Sequence, residues 1–264
     1  MTSSPVATAL VERLRAAGCV YAEQEADLLL EATSGDRAPE RLESLVRRRL
    51  GGTPLEHVLG WAEFRGLRIA VSPRVFVPRR RSELLVREAL EVLAPGDVAL
   101  DLCCGTGAIA AALIAERPGI VVHASDIDPA AVSCARRNLG DERVHLGDLY
   151  DGLPERLRGQ IAVIVANAPY VPSASIATMP REAREHESRV ALDGGLDGVD
   201  LQGRVVAGAR EWLRPDGWLM IETSVSQGDL TLALMRSEGF SPHLVHDQEL
   251  DGTVAVATST PSVV

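Results

Sequence analysis

The sequence predicts an α/β protein, a doubly wound and mostly parallel sheet with a small helical unit ahead of it and an antiparallel C-terminal edge. Three observations carry this. Short β-rich apolar runs alternate with helix-period stretches from residue 98 to residue 238. The first of these runs, 98–102, passes through a glycine-containing turn straight into a helical stretch. The last two β-rich segments, 240–246 and 253–258, are separated by a turn at Asp251-Gly252, as in an antiparallel pair.

In chain order, apolar residues recur at helical spacing over 5–50, as in Ala9-Leu10-Leu14 and Ala26-Leu29-Leu30, with breaks at Gly18 and Gly35-Asp36. Residues 55–77 alternate and carry Gly60 and Gly66, which reads as a β-hairpin. A helix over 82–93 is closed by Pro95-Gly96. Then come a strand at 98–102, a helix at 108–117, strands at 120–125 and 143–146, and the apolar strand 161–166. A strand at 218–222 and a helix at 230–238 lead to the final pair. The 264 residues are expected to divide unequally: a helical unit over 1–52, a hairpin connector over 53–78 and the sheet domain over 79–264.

The turn after 98–102 reads Cys103-Cys104-Gly105-Thr106-Gly107. Glycines at 105 and 107 let backbone approach a ligand closely, and amides at a helix start favour polar or anionic groups. The three-glycine dinucleotide fingerprint is absent, so NAD is not expected. Asp126 ends the next strand, where an acidic residue accepts hydrogen bonds from ribose hydroxyls. Asp148, after the third strand, is placed to receive an adenine amino group. Singly each carboxylate is more readily a helix cap or a solvated loop residue, but their recurrence after successive strands favours one shared site for an adenosine-containing cofactor.

Directly after 161–166 stand Asn167-Ala168-Pro169-Tyr170. A side-chain amide, a turn and a flat apolar face at the carboxyl edge of a sheet suit a planar nitrogen acceptor. The Asn carbonyl accepts from an NH2 group, and proline fixes the turn so that the preceding carbonyl points the same way. The plain alternative is a strand-to-loop turn, since these are ordinary turn residues.

The formal charge of −10 argues against a phosphate backbone as principal partner, so direct nucleic-acid binding is not expected. Arg47-Arg48-Arg49 and Arg79-Arg80-Arg81 are local basic runs, which usually lie on solvated faces. Cysteines at 19, 103, 104 and 134 show no zinc spacing, and six scattered histidines show no ligand pattern, so no metal is expected. Without a signal-peptide pattern or a run of membrane-spanning length, a cytoplasmic location is expected.

The chain resembles the protein-(glutamine-N5) methyltransferases of the HemK/PrmC type, which methylate a glutamine in peptide chain release factors. Members show Asp-Leu-Gly-Thr-Gly-Ser-Gly where this chain has Asp101-Leu102-Cys103-Cys104-Gly105-Thr106-Gly107, and Asn-Pro-Pro-Tyr where it has Asn167-Ala168-Pro169-Tyr170. Matching stretches also include Gly52-Thr53-Pro54-Leu55, Val77-Pro78-Arg79, Ala191-Leu192-Asp193-Gly194-Gly195-Leu196-Asp197-Gly198 and Gly217-Trp218-Leu219-Met220-Ile221-Glu222. The resemblance implies a class I methyltransferase fold and S-adenosylmethionine as cofactor, leaving S-adenosylhomocysteine. It implies a protein substrate, a release factor glutamine in a Gly-Gly-Gln motif, held partly by the helical unit. Cofactor residues are then expected at Asp101, Cys103, Cys104, Gly105, Thr106, Gly107, Asp126, Ile127, Asp148, Leu149 and Asn167. The catalytic and acceptor-binding residues are expected at Asn167, Ala168, Pro169 and Tyr170, with Arg79 contacting the substrate.

Three departures stand out: Cys103 for the first loop glycine, Ala168 for the middle proline, and Pro78-Arg79-Arg80-Arg81-Ser82-Glu83 where the family shows Pro-Arg-Pro-Glu-Thr-Glu. Ala168 keeps the carbonyl and loses only rigidity. Cys103 is expected to shift the loop slightly, since glycine is freer in φ. Other readings are a DNA amino-methyltransferase, disfavoured by the acidic charge, a small-molecule N-methyltransferase, disfavoured by the helical unit, and a lapsed cofactor-binding scaffold, disfavoured by Asp101, Asp126 and Asn167.

Overall fold

The computed structural model describes residues 5–33 and 38–259. Helices α1 (Pro5–Ala16), α2 (Ala22–Glu31) and α3 (Ala38–Leu50) come first. Leu10 and Leu14 of α1 meet Ala26 and Leu29 of α2 and Val46 of α3 in a core of their own, because their spacing puts one apolar stripe on each helix. Gly18 turns the chain between α1 and α2 with φ 88°. The break expected at Gly35-Asp36 lies outside the described residues.

Residues 55–59, expected to alternate as strand, form the short helix α4 (Leu55–Leu59). Leu55, Val58 and Leu59 sit three and four apart and pack onto the core of α1–α3, and Gly60 ends the turn in the left-handed region at φ 81°. The hairpin follows as β1 (Trp61–Phe64) and β2 (Leu67–Ala70), closed by Arg65-Gly66, both at positive φ, as a two-residue hairpin turn requires.

The main sheet is built from β3 (Val98–Leu102), β4 (Val121–Asp126), β5 (Val144–Leu146), β6 (Ile161–Ala166), β7 (Leu213–Glu222), β8 (Phe240–Asp247) and β9 (Gly252–Ser259). Their spatial order is β5-β4-β3-β6-β7-β9-β8, and the first five strands are parallel. Helices α5 (Glu83–Val92), α6 (Ala108–Glu116) and α7 (Pro129–Leu139) cover one face, while α9 (Asp200–Trp212) and α10 (Gly228–Ser237) cover the other. Alternation along the strands divides the core: Val163 and Val165 of β6 face the first layer, Ile164 and Ala166 the second. A short helix α8 (Arg181–His186) lies between β6 and α9 in sequence.

The antiparallel pair stands at the sheet edge as expected, but the last strand is not outermost: β9 is inserted between β7 and β8. Burial explains the order. Residues 252–257 of β9 are all buried, whereas β8 alternates with exposed positions and carries Pro242, which an edge strand tolerates.

Strand order reverses between β3 and β6, where ligands bind in open α/β sheets. Leu102 pairs with Ala166, so the glycine turn and the acceptor segment leave the sheet side by side.

Candidate active site

A cavity of about 720 Å³ opens at that point. Cys103, Cys104, Gly105 and Thr106 line one side, with Asp126, Ile127, Asp148 and Leu149. Asn167, Ala168, Pro169, Tyr170 and Arg79 line the other. Asp101 and Gly107 lie behind the wall. Asp101 Oδ2 accepts from the Ala110 amide of α6 at 3.1 Å, and its Oδ1 is buried without a partner. Burial pushes the Asp101 carboxyl up to about 7. Gly107 starts α6 at φ 74°, where a Cβ would stand 2.8 Å from Leu139 Cδ1.

Asp126 is held at both oxygens: Oδ2 accepts from Gly105 N and Oδ1 from Asp128 N, each at 2.9 Å. Burial raises its pKa, and those backbone bonds oppose the rise. Ile127 beside it is half exposed on the cavity, an apolar surface next to a carboxylate. Asp148, expected to stand ready for an amino group, is paired with Arg204 at 2.8 Å. The loop keeps a glycine-like path at Cys103, which takes φ 56° in the left-handed region. Burial pushes the Cys103 and Cys104 thiols up, so neither is an available thiolate.

On the opposite side, Asn167 Nδ2 donates to Ser82 Oγ at 3.1 Å, which leaves the amide oxygen free to accept. The backbone behind the motif is fixed from two directions. Gly194 N donates to Val171 O at 2.9 Å, and Gln227 Nε2 to Tyr170 O at 2.9 Å. A Cβ on Gly194 would stand 2.7 Å from both Pro169 O and Tyr170 Cα, so only glycine admits that approach. Tyr170 OH donates to Glu222 Oε1 at 3.2 Å, and burial beside that carboxylate pushes the phenol up.

Among known proteins, a family model for the methyltransferase small domain matches residues 73–188. A release factor glutamine methyltransferase of Geobacter sulfurreducens is 38% identical over 209 residues, 76% of this chain and 72% of the relative. The protein of that name from Mycolicibacterium smegmatis is 34% identical over 265 residues, 94% and 93% of the two chains. The chain belongs to the release factor glutamine methyltransferase family. A methyltransferase structure from Pyrococcus furiosus, 18% identical, superposes with a TM-score of 0.55 over 81% of this chain and 96% of that one, a likeness of fold alone.

Within this family member, Ser82 and Arg204, which no motif singled out for the site, also line the cavity. So does Glu187, at a position that matches the family. Glu187, buried, accepts from Val77 N at 3.2 Å and from Arg79 Nη2 at 2.5 Å. Arg81 Nε lies 3.4 Å from Glu222 Oε1. The run Arg79-Arg80-Arg81 is thus no simple solvated face, since two of its members meet buried carboxylates. Arg49 of the other run is only 11% exposed and is ion-paired as well. The signal for this was chemical: a buried glutamate in an apolar wall needs a cation nearby.

The donor set fits an adenosyl group carrying an amino-acid end. A carboxylate held by backbone amides suits paired hydroxyls, Ile127 offers a flat ring an apolar face, and Gly105 leaves its Cβ side open apart from Phe76 Cβ at 3.9 Å.

Proposed function

We propose that this chain methylates the side-chain amide nitrogen of a glutamine in the Gly-Gly-Gln motif of a peptide chain release factor, using S-adenosylmethionine. One observation carries the reading: Asn167 and Ala168 line the cavity, and Asn167 is anchored through its nitrogen on Ser82, which leaves its oxygen free to act, with the Ala168 carbonyl, as an acceptor. Two acceptors match the two N–H bonds of a primary amide. Asp126, Ile127, Asp148, Leu149 and the loop 103–106 would hold the cofactor, with Asp101 and Gly107 setting the loop from behind. When bound, S-adenosylmethionine supplies an electrophilic methyl group on a sulfonium.

Amide nitrogen is a weak nucleophile because its lone pair is shared with the carbonyl. Asn167 Oδ1 and the Ala168 carbonyl hold both N–H bonds, fix the direction of the lone pair and stabilise the positive charge that grows on nitrogen. Tyr170 packs against the flat amide and excludes water. Orientation of two bound reactants contributes roughly 7–11 kcal/mol, so no strong base is required and none is assigned. Once the N–C bond has formed, the nitrogen carries one surplus proton, which is acidic enough to pass to water as the product leaves. The helical unit over 1–52 would hold the protein substrate, with Arg79 at the cavity rim.

The test is incubation with isotopically labelled S-adenosylmethionine and a purified release factor, followed by mass spectrometry of the Gly-Gly-Gln peptide. One added methyl group on that glutamine supports the reading. Cofactor binding with an unmodified peptide sinks it.

A further inference from the structure

We propose that Gln227, which is not among the residues lining the cavity, is a positioning residue for the methyl acceptor, its carboxamide pinning the main chain of the acceptor segment to the loop over 194–198. This rests on the glutamine reading above. Gln227 would act through the backbone of Tyr170 and touch neither substrate nor cofactor.

Gln227 precedes Gly228 at the start of α10. Its Nε2 donates to Tyr170 O at 2.9 Å and to Asp197 O at 3.0 Å. A carboxamide nitrogen has two N–H bonds and a carbonyl oxygen only accepts, so both donors are taken and the nitrogen has one way to face. The other end agrees, since Ser224 Oγ donates to Gln227 Oε1 at 2.7 Å. Gln227 is 8% exposed, so water is a poor substitute for its donors. The fit leaves no slack: a Cβ on Gly198 would stand 2.3 Å from both Gln227 Nε2 and Tyr170 O.

The pinned segment is one that regular structure does not hold. Strand β6 fixes the chain as far as Ala166, and beyond the motif Val171 is held by Leu192 O at 3.1 Å and by Gly194 N at 2.9 Å. Residues 167–170 between them belong to neither helix nor strand. Pro169 has no amide to anchor, and Ala168, standing where the family shows proline, leaves φ unlocked. The bond to Tyr170 O therefore fixes the peptide plane that carries the Tyr170 ring against the cavity, and the bond to Asp197 O keeps the Gly194-Gly195 wall at the same distance. Loss of both lets the two walls part, and the acceptor amide loses its alignment while the cofactor side is untouched.

Methylation of a purified release factor at saturating S-adenosylmethionine is compared, well below the melting midpoints, for the wild-type chain, Gln227→Met, Gln227→Ala, Ser224→Ala and Thr231→Val, with cofactor affinity measured calorimetrically. Gln227→Met keeps the length of the side chain and removes its donors. It and Gln227→Ala are each expected to lower kcat roughly 10- to 100-fold, with cofactor Kd within about threefold of wild type. Ser224→Ala removes only the bond behind the carboxamide and is expected to lower kcat about three- to tenfold. Thr231→Val is the control for a merely structural role. It breaks the buried bond from Thr231 Oγ1 to Gln202 Oε1 at 2.7 Å, one turn along α10, and leaves Gln227 O held by the Thr231 amide at 3.0 Å. It is expected to lower the melting temperature with kcat within about twofold of wild type. Full kcat in Gln227→Met, or a loss of kcat in Thr231→Val equal to that of the Gln227 variants, overturns the proposal. Should neither Gln227 variant fold, an unchanged kcat in Ser224→Ala overturns it. A wild-type chain that leaves the Gly-Gly-Gln peptide unmodified overturns the glutamine reading together with it, whereas an active wild type with fully active variants overturns the role of Gln227 alone.

Discussion

Arg49 at the end of α3 donates through Nη1 to Glu182 of α8 at 2.6 Å, tying the N-terminal helices to the chain segment beside the cavity. The same guanidinium binds Glu25 of α2 through Nε at 2.6 Å and Nη2 at 3.0 Å. Both side chains of the Arg49–Glu25 pair are nearly buried, so removing the cation strands a carboxylate in an apolar setting. Arg49→Ala is expected to destabilise the chain by about 3 kcal/mol, seen as a drop in thermal midpoint, with cofactor affinity unchanged. An unshifted midpoint would show that the pair is replaced by water at no cost.

Asn167→Ala removes one acceptor from the cavity wall and nothing from the loop 103–106. It is expected to lower kcat at least about 100-fold, of the order lost when a single hydrogen-bonding group is removed from a charge-stabilising site, with cofactor Kd within twofold. Equal losses in both would assign Asn167 to cofactor binding instead.

Asp126→Ala removes the carboxylate that Gly105 and Asp128 orient. Cofactor Kd is expected to rise roughly 10- to 100-fold, the size of two lost charge-assisted hydrogen bonds after the loop relaxes, and calorimetric titration reads it directly. An unchanged Kd would remove Asp126 from the ribose site.

Cys103 occupies a left-handed conformation that costs a non-glycine residue roughly 1–2 kcal/mol. Comparison of Cys103→Gly with Cys103→Ala isolates this strain from loss of the thiol. The glycine chain is expected to be more stable by about 0.5–1 kcal/mol in chemical denaturation, the reverse of the usual glycine penalty. An alanine chain that is the more stable would mean the loop relaxes out of that conformation.

His123 and His145 share a hydrogen bond of 3.0 Å across β4 and β5. Burial, then the neighbouring His145, pushes the His123 imidazole down to about 4. Between pH 6.5 and 4 the unfolded chain takes up a proton that the folded chain refuses, so stability present above pH 6.5 falls as pH drops through this window. Relative to His123→Gln, the wild-type chain is expected to lose about 1 kcal/mol between pH 7 and pH 5, because partial solvent contact reduces the full effect. Parallel stability curves for the two chains would place the proton elsewhere.

The sheet and its switch point were legible because alternation of apolar runs with helical stretches records which faces are buried, and β6 announces itself through six consecutive buried residues. Leu55–Leu59 misread as strand since five residues fit either period, and only packing against α1–α3 decides. The carboxylates at strand ends were visible, but not that Arg204 would pair with Asp148, a contact spanning 56 positions. Ser82 carried no signal as a lone serine. Its meaning lies in accepting a hydrogen bond from Asn167, 85 positions away, which no local pattern encodes.

Because β9 sits inside the sheet rather than at its rim, β7 has an unpaired flank until residue 259 has been synthesised. A ribosome-bound chain lacking those residues would present a row of open backbone groups next to the buried strand end that carries Glu222. Chaperone dependence and aggregation are therefore expected to concentrate in this late interval, before β9 pairs with β7.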